Sequence, residues 1–297
     1  NTKVCAIQGN FDDAQSNVKK IFQDQEMKAR LNEMNTTLSS ANSINIGRLI
    51  PQIVYYVFAY KEMVRKGKIR FGEEINFCVP TGNYGNVLAG YYAKCMGLPV
   101  KRFLVASNAN HVLYDFLTTG IYDRNRSFFK TISPSMDILI SSNLERLLYY
   151  KSGKDADYIH ELMKSLEEKG SYQVRSDIFK DIQKDFYGGY CDDETCAAIM
   201  KEFYEEKGYV LDPHTAVGYK VMKDYQKNDA TPCVLLATAS PYKFAPAVEN
   251  AIFQQSNEDE FACMEELQRK SGARIPDSLL LLQGAKIRHE DVIDKED

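Results

Sequence analysis

The sequence predicts an α/β protein whose strands form a mostly parallel sheet flanked by helices. Three observations predict it. Short apolar runs at Ile75–Val79, Arg102–Ala106 and Thr231–Thr238 alternate with longer amphipathic stretches. The first run leads into a turn with Gly82 and Gly85, and then into a helical pattern. The last leads into Ser240-Pro241, a cap followed by proline, which starts a helix. Strand–helix alternation of this kind belongs to parallel sheets covered on both faces.

The elements follow in order. Val4–Ile7 reads as a short buried strand, with Asp12 or Asp13 capping a helix that runs toward Lys28. Residues 35–45 are small and polar, a loop, and Ile46–Arg65 reads as one long helix with an apolar face. The strand Ile75–Val79 precedes a helix from about Asn86 to Met96, and Arg102–Ala106 precedes one over Asn110–Thr119. Ser133–Asp137 is a turn-rich break. Helices are expected near Ser142–Tyr150, Ala156–Glu168 and Asp193–Lys207. Asp212-Pro213 starts another, and a short one is expected at Glu260–Lys270. There is no internal repeat and no low-complexity segment.

Composition narrows the function classes. The chain has 297 residues, 44% of them hydrophobic and 26% charged, as in an ordinary globular protein. The net charge of −4 offers no basic field for nucleic acid. The longest apolar stretch, residues 44–60, is interrupted by Arg48 and Gln52, so it reads as an amphipathic helix and not as a membrane span. The seven cysteines are scattered and mostly set in apolar runs, which suits reduced thiols in a cytoplasmic protein. Cys191 and Cys196 form the one close pair, but no histidine is near them in sequence, so no metal site is expected.

Four segments carry chemistry. The turn Pro80-Thr81-Gly82-Asn83-Tyr84-Gly85-Asn86 joins a strand to a helix. Glycine permits close backbone approach, and the helix start offers free N–H groups and the positive end of a dipole. It is neither the Walker pattern nor the dinucleotide G-x-G-x-x-G, and a plain strand-to-helix turn explains it equally well. Asn42, Ser43 and Arg48 are hydroxyl, amide and guanidinium donors around a helix start, the groups that bind phosphate or carboxylate. An N-cap plus a surface arginine is the plainer alternative. Thr238 ends an apolar run where α/β sheets place ligands; capping accounts for Ser240 but not for Thr238. His214 lies in the first turn of a helix behind Asp212-Pro213, which a polar helix start explains.

Taken together these segments resemble threonine synthase of the bacterial and fungal type. The matching stretches are Gly9–Gln15, Ala41–Asn45, Pro80–Asn86, Ser133–Asp137, Ser141–Arg146, Asp212–Ala216 and Thr238–Pro241, in family order over about 240 residues. The resemblance implies a fold-type II pyridoxal-phosphate enzyme, like the tryptophan synthase β chain. Its twisted, mostly parallel sheet would occupy residues 39–297, and residues 1–38 would be the end of a smaller α/β domain. It implies pyridoxal 5'-phosphate as cofactor, with its phosphate on Gly82, Asn83, Tyr84, Gly85 and Asn86 and its pyridine nitrogen on Thr238. It implies O-phospho-L-homoserine as substrate, with its phosphate on Asn42, Ser43, Arg48 and Asn86. The implied reaction is conversion of that substrate and water to L-threonine and phosphate. Two departures stand out. Ser240 takes a place where the family often has histidine. No lysine here occupies the family's Schiff-base motif, which lies upstream of Gly9–Gln15, so no catalytic residue is expected in this chain. The alternatives are another fold-type II enzyme such as a serine or threonine dehydratase, and a non-catalytic phosphate-binding module.

Overall fold

A computed structural model describes residues 3–9, 11–255, 257 and 259–294; of residues 11–13, 15, 16 and 19 it describes the backbone alone. The chain begins with β1 (Ala6–Gln8), α1 (Phe11–Gln23) and α2 (Gln25–Glu33). The run α3 (Ile46–Leu49), α4 (Ile53–Arg65), β2 (Ile75–Pro80), α5 (Gly85–Cys95) and β3 (Val100–Ser107) follows. Next come α6 (Val112–Thr119), β4 (Ile121–Asp123), α7 (Leu144–Lys151), α8 (Ala156–Lys169), β5 (Ser171–Gln173) and α9 (Ser176–Asp185). Then come β6 (Phe186–Tyr190), α10 (Asp193–Lys207), α11 (Pro213–Gln226) and β7 (Cys233–Leu235). The last elements are α12 (Ala245–Phe253), α13 (Glu260–Ser271), α14 (Asp277–Leu280) and β8 (Val292–Asp294).

Two compact units result: residues 1–41 with 276–297, and residues 42–275. The sequence reading divides the chain at 38/39 and leaves the tail with the larger part. The tail instead joins the first unit, because β8 pairs in parallel with β1, Ile7 opposite Ile293. That pair is a two-stranded ribbon, so β1 is largely exposed and not the buried strand expected over Val4–Ile7. α1 starts at Phe11, ahead of both expected caps, and Asn10 lies outside the described residues. The single helix expected to Lys28 is two, since Asp24 accepts from Met27 N and starts α2.

The larger unit holds a four-stranded parallel sheet in the order β6-β3-β2-β7. Every residue of β2 is buried, as a central strand of a parallel sheet requires. Tyr56, Phe77 and Phe103 meet in front of it, with ring centroids 4.9 Å, 6.1 Å and 6.3 Å apart. Burying side chains of this size contributes roughly 1.5–3 kcal/mol each, which places the core between α4, α5 and the sheet. β6 escapes sequence reading because Phe186-Tyr187-Gly188-Gly189-Tyr190 looks like a turn. The glycines are there for close approach: a Cβ on Gly188 would lie 3.2 Å from Tyr114 Cα in α6, and one on Gly189 would lie 2.6 Å from Val221 Cγ1 in α11. β7 is shorter than the expected strand because it is an edge and pairs only with Asn76, Phe77 and Cys78. The long helix expected over Ile46–Arg65 is broken by a 3-10 turn at Ile50–Gln52, where Pro51 lacks an N–H.

Candidate functional site: a cleft at the strand ends

The C-terminal ends of β2, β3 and β7 lie on one edge of the sheet, where open α/β sheets place ligands. A cleft of about 270 Å³ opens there. Its lining comprises the turn Pro80–Asn86, Ser43 and Gln52, Ser135 and Met136, His214, Thr238 and Ala239, and Lys243.

The turn is built in steps. Thr81 N donates to Ala106 O at 2.8 Å, keeping the chain on the sheet one residue past β2. Tyr84 takes a left-handed conformation, φ 62°, and sends its ring into the core, 5.9 Å from Phe186. That reversal starts α5 at Gly85, and no side chain caps the helix. Five other helices have an aspartate cap: Asp24, Asp155, Asp192, Asp212 and Asp259. The first N–H groups of a helix have no partner inside it. At α5 those of Tyr84, Gly85 and Asn86 belong to residues that line the cleft. Tyr56 Oη donates to Asn86 Oδ1 at 2.5 Å and to Asn86 O at 2.8 Å. Burial pushes the Tyr56 phenol up, so it stays a donor, and the Asn86 amide has its N–H groups left to offer.

The segment 141–146 clamps this turn. Ser141 Oγ donates to Gly82 O at 2.8 Å and Ser142 Oγ to Asn83 Oδ1 at 3.1 Å. Asn143 donates to Asn83 O from its amide at 2.9 Å and to Ser43 Oγ at 3.3 Å. Arg146 gives its fork to the Ser43 and Ile44 carbonyls, at 2.9 Å and 2.6 Å. The two candidate phosphate loops are therefore tied to one helix start. They also touch: a Cβ on Gly85 would fall 2.1 Å from Ser43 Oγ.

A second clamp holds the opposite wall. Asp137 is buried and accepts from Asn108, Asn110, Thr131 Oγ1 and Thr131 N at 2.7–3.0 Å. That fixes the loop carrying Ser135 and Met136. Ser135 N donates to His214 Nε2 at 3.1 Å, so Nδ1 carries the proton and gives it to Asp212 Oδ1 at 3.0 Å. His214 is 2% exposed and packs 4.8 Å from the Phe244 ring.

The expected residues Gly82, Asn83, Tyr84, Gly85, Asn86, Ser43 and Thr238 line this one cleft. Asn42 and Arg48 are not among the lining residues. The Asn42 side chain accepts from Ile44 N at 2.9 Å, and Arg48 is exposed on α3. Gln52, Ser135, Met136 and Lys243 also line it, residues to which the sequence reading assigns no role.

A family model described as threonine synthase, C-terminal, matches residues 215–276. The threonine synthase of Saccharomyces cerevisiae is 38% identical over 275 residues, 86% of this chain and 52% of that protein. The crystal structure of PLP-bound threonine synthase from Brucella melitensis superposes with a TM-score of 0.79 at 36% identity, covering 99% of this chain and 57% of that one.

Over the part of those proteins that it spans, the chain is of the threonine synthase type.

Its fold is that of the fold-type II pyridoxal-phosphate enzymes. The yeast threonine synthase structure also matches, with a TM-score of 0.79 and 33% identity over 99% of this chain and 57% of that one. Threonine synthase-like 1 of Homo sapiens is 45% identical over 248 residues, 83% of this chain and 33% of that protein. The chain thus spans between a third and somewhat over half of the relatives it matches. Within this family fold, the Ser141–Arg146 clamp and the Asp137 network are what set the two walls of the cleft.

Proposed function

We propose that this chain contributes the phosphate-gripping cleft of a threonine synthase, converting O-phospho-L-homoserine and water to L-threonine and phosphate with pyridoxal 5'-phosphate. One observation carries the reading: the Gly82–Asn86 turn, Ser43 and Thr238 share one cleft at the sheet's C-terminal edge. The residues fit the cofactor. An uncapped helix start with a glycine at its first position suits a phosphate held by backbone N–H groups. Thr238, exposed in the cleft beyond β7, would give its hydroxyl to the pyridine nitrogen. A neutral partner there leaves the ring less protonated than a carboxylate would. When bound, the cofactor supplies an electron sink for carbanions at Cα and Cβ of the substrate.

The remaining roles belong to the chain. Ser43 and Asn86, joined by Asn42 and Arg48 of the adjoining segment, would hold the substrate's phosphate. The Asn143–Arg146 clamp keeps the Ser43 hydroxyl beside α5. Phosphate leaves from Cγ and water adds at Cβ; a departed phosphate retained by Ser43 and Arg48 can take the proton of that water.

The test is phosphate release from O-phospho-L-homoserine against ammonia release from L-serine by the complete enzyme that contains this chain, with pyridoxal 5'-phosphate present. Threonine formation in the first assay supports the reading, and Arg48→Ala should then weaken substrate use far more than cofactor binding. Deamination of serine alone points to a dehydratase. Reversible cofactor binding without turnover of either leaves a phosphate-binding module.

A further inference from the structure

Among the described residues lining the cleft there is one charged side chain, Lys243, and no carboxylate. Lys243 lies on the 3-10 turn Pro241–Phe244, five residues beyond Thr238. The turn is firmly placed. Ser240 Oγ accepts from Tyr242 N at 3.3 Å, and Tyr242 is buried with its hydroxyl given to Ala273 O. The Lys243 ammonium has no carboxylate partner among the described residues; its neighbour is the Phe244 ring, 5.6 Å to the centroid. The acidic group behind this wall, Asp212, is 2% exposed and already accepts from His214 and Thr215. The cleft therefore combines an unpaired ammonium, an uncapped helix start and neutral amide and hydroxyl donors, with nothing acidic facing them. An ammonium is a compact charge on a flexible stem, able to reach a ligand without a preset geometry.

We infer that Lys243 is a specificity-determining residue: it supplies the cleft's one positive side chain to a phosphomonoester dianion and so sets the preference for phosphorylated ligands. The inference rests on the proposed phosphate reading of the cleft and adds to it a positive charge on the lining itself, besides Arg48, which is not among the lining residues. The dianion has two sources, the cofactor's phosphate and the substrate's.

The experiment uses the full chain and its Lys243→Met and Lys243→Arg variants. Affinities are measured by fluorescence titration and calorimetry for pyridoxal 5'-phosphate against pyridoxal. They are also measured for O-phospho-L-homoserine against L-homoserine with the cofactor saturating. Lys243→Met should weaken one phosphorylated ligand about 10- to 100-fold, the loss of one charge-assisted hydrogen bond. It should leave the unphosphorylated counterpart within about 2-fold, and the deficit should shrink as salt rises from about 0.05 to 0.5 M. Lys243→Arg should recover most of the loss. Weakened pyridoxal 5'-phosphate identifies the cofactor's phosphate as the partner; weakened O-phospho-L-homoserine alone identifies the substrate's. Unchanged binding of both phosphorylated ligands overturns the inference, as does an equal loss on pyridoxal or L-homoserine. If the wild-type chain itself shows no preference for phosphorylated ligands, the phosphate reading falls and this inference falls with it. A preference kept by Lys243→Met removes Lys243 alone. The side chain is exposed, so all three proteins should melt together.

Discussion

Gly85→Ala tests the join between the two candidate phosphate loops. The new Cβ would lie 2.1 Å from Ser43 Oγ, 2.6 Å from Ser43 Cβ and 3.4 Å from Asn143 Nδ2. Contacts under 3.0 Å force something to shift. Ser43 cannot step back freely, because Arg146 holds its carbonyl at 2.9 Å and Asn143 holds its hydroxyl at 3.3 Å. Two effects oppose each other. Alanine is the better helix former, by at most about 1 kcal/mol in a helix interior and less at the first position. Overpacking a fixed site costs about 1–3 kcal/mol. The clash should win, leaving a net loss of roughly 1–2 kcal/mol, which is a fall of about 2–8 °C in melting temperature for a unit of this size. Ser43→Gly removes both colliding atoms, so the double variant should recover stability relative to Gly85→Ala. Coupling energies between touching residues are of order 0.5–3 kcal/mol, large enough to measure in a double-mutant cycle. The assay is urea unfolding of the four proteins, read beside pyridoxal 5'-phosphate affinity. Wild-type stability in Gly85→Ala, or additive losses in the double variant, would refute the contact.

Other outcomes follow from the same geometry. Arg146→Ala leaves the Ser43 and Ile44 carbonyls without their donor and should cost roughly 2–3 kcal/mol in urea unfolding, with Arg146→Lys recovering only part because one ammonium cannot replace a fork. Asp229 accepts from Lys101, Tyr225 and Thr231, and these partners, Lys101 first, hold its carboxyl below the usual range. A depressed carboxylate adds stability above its unfolded pKa, so Asp229→Asn should cost on the order of 1 kcal/mol near neutrality. The difference should narrow as pH falls below about 4. Burial pushes the Cys191 and Cys233 thiols up to about 12 and Cys263 to about 11, while Cys5 and Cys95 are exposed. An aromatic disulfide reagent at pH 8 should therefore label Cys5 and Cys95 quickly, the half-buried Cys233 slowly, and the buried Cys78, Cys191, Cys196 and Cys263 only on unfolding.

What could be read from the sequence depended on how far along the chain each cause lies. The Asp155, Asp192 and Asp212 caps each act on an amide two or three residues away, and the helices they start appear where expected. The Gly82–Asn86 turn is equally local: a strand end, a reversal at Tyr84 and a helix start within seven residues. The causes that escaped are distant. Gly188-Gly189 reads as a turn until α6 and α11 press on both faces of β6. β1 reads as buried until β8, some 285 residues later, supplies its only partner among the described residues. Arg146 reads as one more charge on a helix, yet both its terminal nitrogens donate to neighbours that include two carbonyls about a hundred residues upstream. Lys243 had no signal of its own, because its meaning comes from which other charges are missing around it. That difference also separates the two walls of the cleft. The turn Pro80–Asn86 takes its shape from its own residues, whereas its placement against Ser43 is specified by Asn143 and Arg146. Arg146 bonds Ser43 and Ile44 and no residue of the turn, so a substitution there should move the Ser43 side of the cleft while leaving the turn itself intact.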